Sequence, residues 1–425
     1  MEIIKWKKRS LIFTFIIFTL ITIFCPIKSY AIDVYCDSAI LIDAKTGNVL
    51  YEKNSNQKAY PASTTKILTA YIALSQGYSM DEEIIPSKYA VMSVPKGSSI
   101  AYFSEGEKLT LEQVLYGLML PSGNDAANIL AEHISGSVSN FADLMNTTAS
   151  NLGAADSNFV NANGLHDANH YTTAADLAKI AYNAMKNDKF REIVSQSKYE
   201  MPATNVSKTK RNFINTNKLL TSGGEYFFPY ATGIKTGYTT QAGNCLVASA
   251  SKDGLDLITV VLGGRIIPVN KSTVYLDTLT LFNYGFENYH NQQLLAQNQI
   301  VTSCIPKKSR KETLNLSAGS GLNVTVKNGD TPVFDKIITL NDNIVAPIKK
   351  GDILGTVSYT RDGENIGIIN LLAQNDIEKE PVIFVILRIL LYFVVSVIIL
   401  GVGLRIFNKI RKFIKKVSKK GKKVK

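Results

Sequence analysis

The 425-residue chain has four cysteines, four histidines and one tryptophan, and its scarcities remove whole classes of function. If a leader is removed, Cys36, Cys245 and Cys304 remain. An odd count at wide spacing defines no disulfide framework, so they read as buried or free thiols. Cys25 lacks the small preceding residues that lipoprotein processing wants. His166 and His170 are four apart, but no third ligand is near and no His-Glu-x-x-His occurs, so they read as loop residues and no metal or cofactor is expected. Without a Gly-x-Ser-x-Gly, a Ser-His-Asp hydrolase has no anchor. Residues 381–425 contain no acid at all and carry +12, while residues 1–31 carry +4, so the net +12 of the whole leaves −4 for residues 32–380. The basic charge sits at the ends, which excludes a nucleic-acid partner for the folded body. There are no internal repeats, and the only low complexity is the lysine-rich tail.

What is present is organised by the two ends. Lys5 to Arg9 precede the apolar run Leu11 to Phe24, and Ser29-Tyr30-Ala31 offers small residues before a cut. Residues 1–31 read as a secretory signal, with an uncleaved anchor as the other reading. Val382 to Leu404 is apolar except for Arg388 and Ser396, and its 23 residues suffice to cross a bilayer. Arg388 can snorkel to the interface. Eleven Lys/Arg from Arg405 onward place the tail in the cytoplasm by the positive-inside rule. The alternative is a basic amphipathic helix lying on membrane lipid. The expected divisions are 1–31, 32–291, 292–380, 381–404 as the span and 405–425 as the cytoplasmic tail.

Between the ends, Ala39 to Tyr51 reads as a β-hairpin, with Lys45-Thr46-Gly47 at its turn. Helical patterns follow at Leu111 to Leu120, Asn124 to His133, Asn140 to Leu152 and Thr173 to Met185. Strands return at Cys245 to Ala250 and Leu257 to Leu262, and a last helix runs from Ser272 to Tyr284, before Gly285. Strands at both ends of a helical middle predict one antiparallel sheet flanked by helices, an α/β (α+β) catalytic domain. From about Gln292 the pattern alternates, at Val324-Thr325-Val326 and Ile348 to Tyr359. Arg361 to Asn365 is a turn before Ile366 to Ile369, and a small β-rich domain follows from this.

Three short elements carry the chemistry: Ser63-Thr64-Thr65-Lys66, Ser122-Gly123-Asn124 and Lys235-Thr236-Gly237. None is specific alone. Ser-x-x-Lys recurs at Ser55/Lys58, Ser93/Lys96, Ser195/Lys198 and Ser207/Lys210, and Lys-Thr-Gly recurs at Lys45. Context selects Ser63, because Pro61-Ala62 precedes it and apolar residues at helical spacing follow, putting Ser63 and Lys66 on one face. Ser93/Lys96 contains Pro95 and cannot be regular helix interior. A serine one turn from a lysine is an acyl-transfer nucleophile whose base is an amine. Lys66 must be partly neutral, and burial together with Lys235 would lower its pKa. Ser122 can relay a proton. Asn124 can orient Lys66 and bond a substrate amide, or can cap the helix before Ala126-Ala127. Gly237 leaves the strand edge open to a substrate backbone.

In this order the elements resemble the penicillin-binding and serine β-lactamase superfamily, most nearly the low-molecular-mass D-alanyl-D-alanine carboxypeptidases. Ser-Gly-Asn is their form, whereas class A β-lactamases carry Ser-Asp-Asn. Tyr60 to Lys66, Pro121 to Ala127, Gly233 to Thr239, Asn163-Gly164-Leu165 and His170 to Ala174 all look like that family, over roughly Asp33 to Glu380. The resemblance implies the transpeptidase/β-lactamase-like fold and a small β-rich second domain, which could serve as a spacer. It implies removal of the terminal D-Ala from peptidoglycan stem peptides ending in D-Ala-D-Ala, in cell-wall biogenesis. Lys235 and Thr236 would hold the substrate carboxylate, and main-chain N–H groups of Ser63 and Tyr238 would form the oxyanion hole. Arg265 is either a second carboxylate contact or a surface arginine. Class A β-lactamases place a glutamate beyond the second element. Here Phe159 to Gly164 has no acid, so a β-lactam is expected to acylate Ser63 and remain. A related endopeptidase, a β-lactamase, or a catalytically weak penicillin-binding sensor are the other readings.

Overall fold

The computed structural model describes residues 32–268 and 270–421, and the expected signal segment and Cys25 lie outside them. The chain divides into two compact units, at Tyr289/His290.

In the first unit five antiparallel strands form one sheet: β1 (Ser38–Asp43), β2 (Val49–Lys53), β3 (Ala231–Thr239), β4 (Gly243–Lys252) and β5 (Leu255–Gly264). Their order is β2-β1-β5-β4-β3, so β3, the strand of Lys235, is an outer strand. β1 is buried along its whole length because alternate residues enter two different cores. Ile40 and Ile42 point into a core shared with the helical lobe. Ala39 and Leu41 point into the other, against the last helix of the unit. Both sheet faces are covered, which is why these strands read as continuous apolar runs rather than as alternating ones.

The lobe comprises α1 (Lys66–Ser75), α2 (Leu111–Met119), α3 (Asn124–Ser135), α4 (Val138–Asn151) and α5 (Ala174–Ala184), among shorter turns. Local chemistry sets several starts. Thr110 and Gln113 make a reciprocal capping box for α2, and the Thr173 hydroxyl accepts from the Asp176 N–H at the head of α5. Two expectations are corrected. Ser63 lies on a 3-10 turn, Ala62–Thr65, and regular helix begins only at Lys66. Residues three apart eclipse on such a turn, so the shared face is retained. The final helix, α6 (Thr273–Asn288), does not stop before Gly285 but runs through it. A Cβ there would lie 2.5 Å from Leu257 Cδ1, so the glycine admits close helix-to-sheet packing.

In the second unit β6 (Ile300–Cys304), β7 (Leu314–Ala318), β8 (Asp335–Leu340), β9 (Ile353–Arg361) and β10 (Glu364–Ala373) form an antiparallel sheet ordered β6-β7-β10-β9-β8. Leu316, Val357 and Leu371 are fully buried at its centre. Asp362 and Gly363 both hold positive φ (52° and 84°) at the β9–β10 hairpin, as its two-residue turn requires. A helix, α7 (Val382–Gly421), ends the described chain. It is long and apolar enough to cross a membrane over Val382–Lys412. Its 40 residues span about 60 Å, roughly twice a bilayer's hydrocarbon core. Arg388 pairs with Glu380 just before the helix.

Candidate active site

Ser63 is half-buried at the floor of a cleft of about 670 Å³ between β3 and the helical lobe. Lys66 is fully buried beneath it. Its Nζ lies 3.0 Å from Ser63 Oγ, 2.7 Å from Asn124 Oδ1 and 2.6 Å from the Asn163 carbonyl oxygen. Burial holds the Lys66 pKa well below that of an ordinary lysine. The Lys235 charge lowers it further, and Asp125 opposes the shift. Asp125 itself is buried and fully engaged, accepting main-chain N–H groups from Ala101, Phe103 and Ala126.

Ser122 is also buried, with φ at +66°, and its Oγ has no hydrogen-bond partner among the described residues. It lines the same cleft. Asn124 is the first residue of α3, where Gly123 occupies the capping position. Its side chain turns to Lys66 instead, so the capping alternative is excluded.

Across the cleft, Lys235 is 1% exposed, and its Nζ reaches the Thr236 carbonyl at 3.2 Å and Thr216 Oγ1 at 3.5 Å. Burial brings its pKa down to about 7. The Thr236 and Thr216 hydroxyls are 2.6 Å apart. A Cβ on Gly237 would lie 2.9 Å from the Ser63 nitrogen, so the strand can approach Ser63 only without a side chain. Tyr238 is exposed at the cleft wall, and no Asp or Glu lines the cleft. The residues of the three motifs and Tyr238 are thus in one place. Arg265 is not: it is exposed, with Nη2 3.4 Å from the Tyr35 carbonyl, and is absent from the cleft lining.

Two participants escaped the sequence reading. The Asn163 carbonyl is main chain, and only the neighbouring Gly164 hinted at it. A Cβ on Gly164 would fall 1.9 Å from the Ala62 carbonyl oxygen, so only glycine lets this loop press against the turn of Ser63. Thr216, in an irregular connection, carried no signal. The loop is also pinned by His170, whose Nδ1 accepts from the Val160 N–H. Nε2 therefore carries the proton toward Thr65 Oγ1, 2.9 Å away, and burial lowers the imidazole pKa to about 4. Cys36 and Cys245 are buried free thiols and Cys304 is a half-buried one.

Comparison with known proteins agrees with this arrangement. Residues 26–265 match the family profile described as D-alanyl-D-alanine carboxypeptidase, and residues 289–379 match the C-terminal domain of penicillin-binding protein 5. A D-alanyl-D-alanine carboxypeptidase of Bacillus subtilis is 34% identical over 80% of this chain and 86% of its own length. The crystal structure of penicillin-binding protein 5 from Haemophilus influenzae is similar, with a TM-score of 0.59 at 29% identity over 82% of this chain and 98% of that one. A peptidoglycan synthesis regulatory factor from Streptococcus pneumoniae shares the fold at 23% identity, with a TM-score of 0.71 over 81% of this chain and 100% of that one. With the three motifs gathered in one cleft and the profile matched across them, the chain belongs to the D-alanyl-D-alanine carboxypeptidase family of serine peptidases.

Proposed function

We propose that the protein removes the terminal D-Ala from peptidoglycan stem peptides through an acyl-enzyme on Ser63. The observation that carries this reading is the environment of the Lys66 amine. A neutral amine has two N–H groups and one lone pair. The Asn163 carbonyl and the Asn124 amide oxygen accept the two N–H groups at 2.6 and 2.7 Å. The lone pair is left facing Ser63 Oγ at 3.0 Å, where it can take the hydroxyl proton as the oxygen attacks. The proton then passes to the leaving D-Ala amine by way of Ser122, whose otherwise orphaned hydroxyl lines the cleft.

Lys235, Thr236 and Thr216 receive the substrate carboxylate, and the N–H groups of Ser63 and Tyr238 receive the developing oxyanion. One such donor is typically worth about 2.7–4 kcal/mol in the transition state. With no carboxylate in the cleft, water attack on the ester relies on Lys66. A tethered β-lactam leaving group obstructs that step, so β-lactams act as covalent inhibitors. Ser63→Ala should abolish both labelled-penicillin binding and D-Ala release from a peptide ending in D-Ala-D-Ala, with an unchanged circular-dichroism spectrum. Labelling retained by a folded Ser63→Ala protein would falsify the assignment.

The same proposal places the catalytic unit outside the cell, after cleavage of residues 1–31, with 382–404 spanning the membrane and the basic tail in the cytoplasm. A spanning helix resists alkaline carbonate and leaves the membrane only in detergent. Extraction of the full-length protein by carbonate would assign α7 to the membrane surface instead.

A further inference from the structure

The loop between β6 and β7, Ile305 to Thr313, folds onto the root of α7. The Glu380 N–H donates to the Lys308 carbonyl at 2.7 Å, two residues before the helix begins. The Arg310 guanidinium stands 4.9 Å from the centroid of the Phe384 ring. Phe384 is two residues into α7, about 3 Å along its axis from Val382. On the membrane-spanning reading of α7 given above, Arg310 therefore lies at the depth of the lipid headgroups. The loop is held from its other side as well. The Lys307 N–H donates to the Ile344 carbonyl and the Ala346 N–H to the Lys307 carbonyl, each at 2.9 Å. Ser309 is buried, with its hydroxyl on the Pro306 carbonyl at 2.7 Å.

The charge of this loop is out of line with its unit. Residues 290–380 carry ten Lys/Arg against ten Asp/Glu, yet Lys307, Lys308, Arg310 and Lys311 place four of those ten cations in five consecutive positions. All four are exposed. The Lys307 ammonium donates to the Asn343 amide oxygen at 3.0 Å, and Glu380, the acid at the helix root, is already paired with Arg388. Ile305, at the head of the run, is 61% exposed. Cations beside an exposed apolar side chain, at the point where a helix enters a bilayer, suit a surface of anionic headgroups. The cluster does not weigh against the orientation of the span. Lys311 lies 71 positions before Val382, too far along the chain to count in the positive-inside rule, and the fold alone brings it to the helix.

We propose that Ile305 to Lys311 is a second membrane contact, a seat for anionic phospholipid headgroups on the leaflet from which α7 enters. The four cations take lipid phosphates, Arg310 with its two-pronged guanidinium, while Ile305 dips to the acyl boundary. The second unit is then held against the bilayer by its own loop as well as by the helix. This rests on the spanning reading of α7.

The full-length protein in lipid nanodiscs tests the seat. In a Trp6→Phe background, Ile305→Trp supplies the chain's only tryptophan. With phosphatidylglycerol present, the introduced indole should emit further to the blue and be quenched by lipid brominated on its acyl chains. In pure phosphatidylcholine both effects should be far smaller. Replacing all four cations, by Lys307→Gln, Lys308→Gln, Arg310→Gln and Lys311→Gln together, should lower headgroup occupancy roughly 10²–10³-fold, about fivefold for each cation. Salt at about 1 M, where the Debye length is about 3 Å, should release the unmutated loop, which tests the seat without altering the fold. Lys327→Gln with Lys336→Gln, cations elsewhere in the same unit, should leave the response unchanged. Equal emission in the two bilayers, or a response that survives both salt and loss of the four cations, overturns the seat. Emission unmoved by anionic lipid but shifted by soluble polyphosphate assigns the loop to a free phosphate polymer and also overturns it. Resistance to alkaline carbonate scores α7 separately. Carbonate extraction from vesicles of the same lipid, with the indole response intact, moves α7 to the surface and leaves the loop's lipid contact standing.

Discussion

Lys-Thr-Gly occurs twice in this chain, and the two copies have opposite fates. At Lys45-Thr46-Gly47 the tripeptide closes the β1–β2 hairpin. Its lysine is 44% exposed in the side chain and pairs with Asp256 at 3.3 Å, its threonine N–H bonds Asp43, and its glycine holds φ +79°. At Lys235-Thr236-Gly237 the tripeptide lies within an outer strand. This lysine is buried, with a hydroxyl and a carbonyl for partners but no carboxylate among the described residues. A solvated cation with its own counter-ion has little to gain from a ligand. A buried cation without one is costly to hold, and an arriving carboxylate relieves that cost. Burial and the missing counter-charge, not the tripeptide, are what make the second copy the candidate carboxylate site of the proposed function.

The same contrast holds for Ser-x-x-Lys and gives the largest expected effect. Lys66→Arg keeps a long basic side chain but removes the base, because arginine does not deprotonate in proteins and has no lone pair to offer. Acylation by penicillin should fall by about 10²–10⁴, the usual contribution of general-base catalysis. Lys96→Arg, in the copy interrupted by Pro95, should stay within about twofold of wild type. Comparable losses in the two variants would remove the distinction between the copies.

Next in size is the pair of Lys-Thr-Gly lysines. Lys235→Ala should lower kcat/KM for D-Ala release about 10- to 100-fold, the scale of a lost charged hydrogen bond, while Lys45→Ala changes neither kcat nor KM. A pH profile sharpens this. Activity rises as the Lys66 ammonium loses its proton, on a limb well below the ordinary lysine range. It falls as Lys235 loses its own proton, near pH 7 in the free enzyme. A bound carboxylate favours the Lys235 ammonium, so the falling limb of kcat should lie at higher pH than that of kcat/KM. Coincident falling limbs would separate Lys235 from the carboxylate.

The smallest effects belong to the glycines, for two different reasons. Gly237→Ala places a methyl 2.9 Å from the Ser63 nitrogen and 3.1 Å from the Pro61 carbonyl oxygen, so main chain must shift, and both acylation and the melting temperature should drop. Gly47→Ala meets only ordinary contacts at the Tyr182 ring but must hold φ +79°. It should cost about 1–2 kcal/mol of stability and leave acylation intact. Thermal melts and labelling rates on both variants decide whether this division is real.

Much of this was readable in advance, and the failures have physical causes. The β1–β2 hairpin, strands β4 and β5 and the lobe helices follow from periodicities that burial enforces. Gly285 read as a helix end because glycine usually breaks helices, yet here it serves packing against Leu257. Asn124 read equally well as a cap or as a partner of Lys66, since an asparagine at a helix start has the chemistry for both. The Asn163 carbonyl had only Gly164 beside it as a hint, because main-chain oxygens are the same in every residue.

The amino-acid sequence determines the apolar runs that bury both sheet faces, the order of the three motifs, the apolar stretch of α7 and the basic residues beyond it. These depend on neighbours close along the chain, where spacing and side-chain chemistry suffice. Sequence context singles out Ser63, Lys66 and the second Lys-Thr-Gly as the candidates. Only the tertiary structure supplies their environment, a burial and an absence of counter-charge set by contacts between residues such as Lys66, Asn124, Asn163 and Lys235 that lie far apart in the chain and meet only when the sheet and the helical lobe close around them.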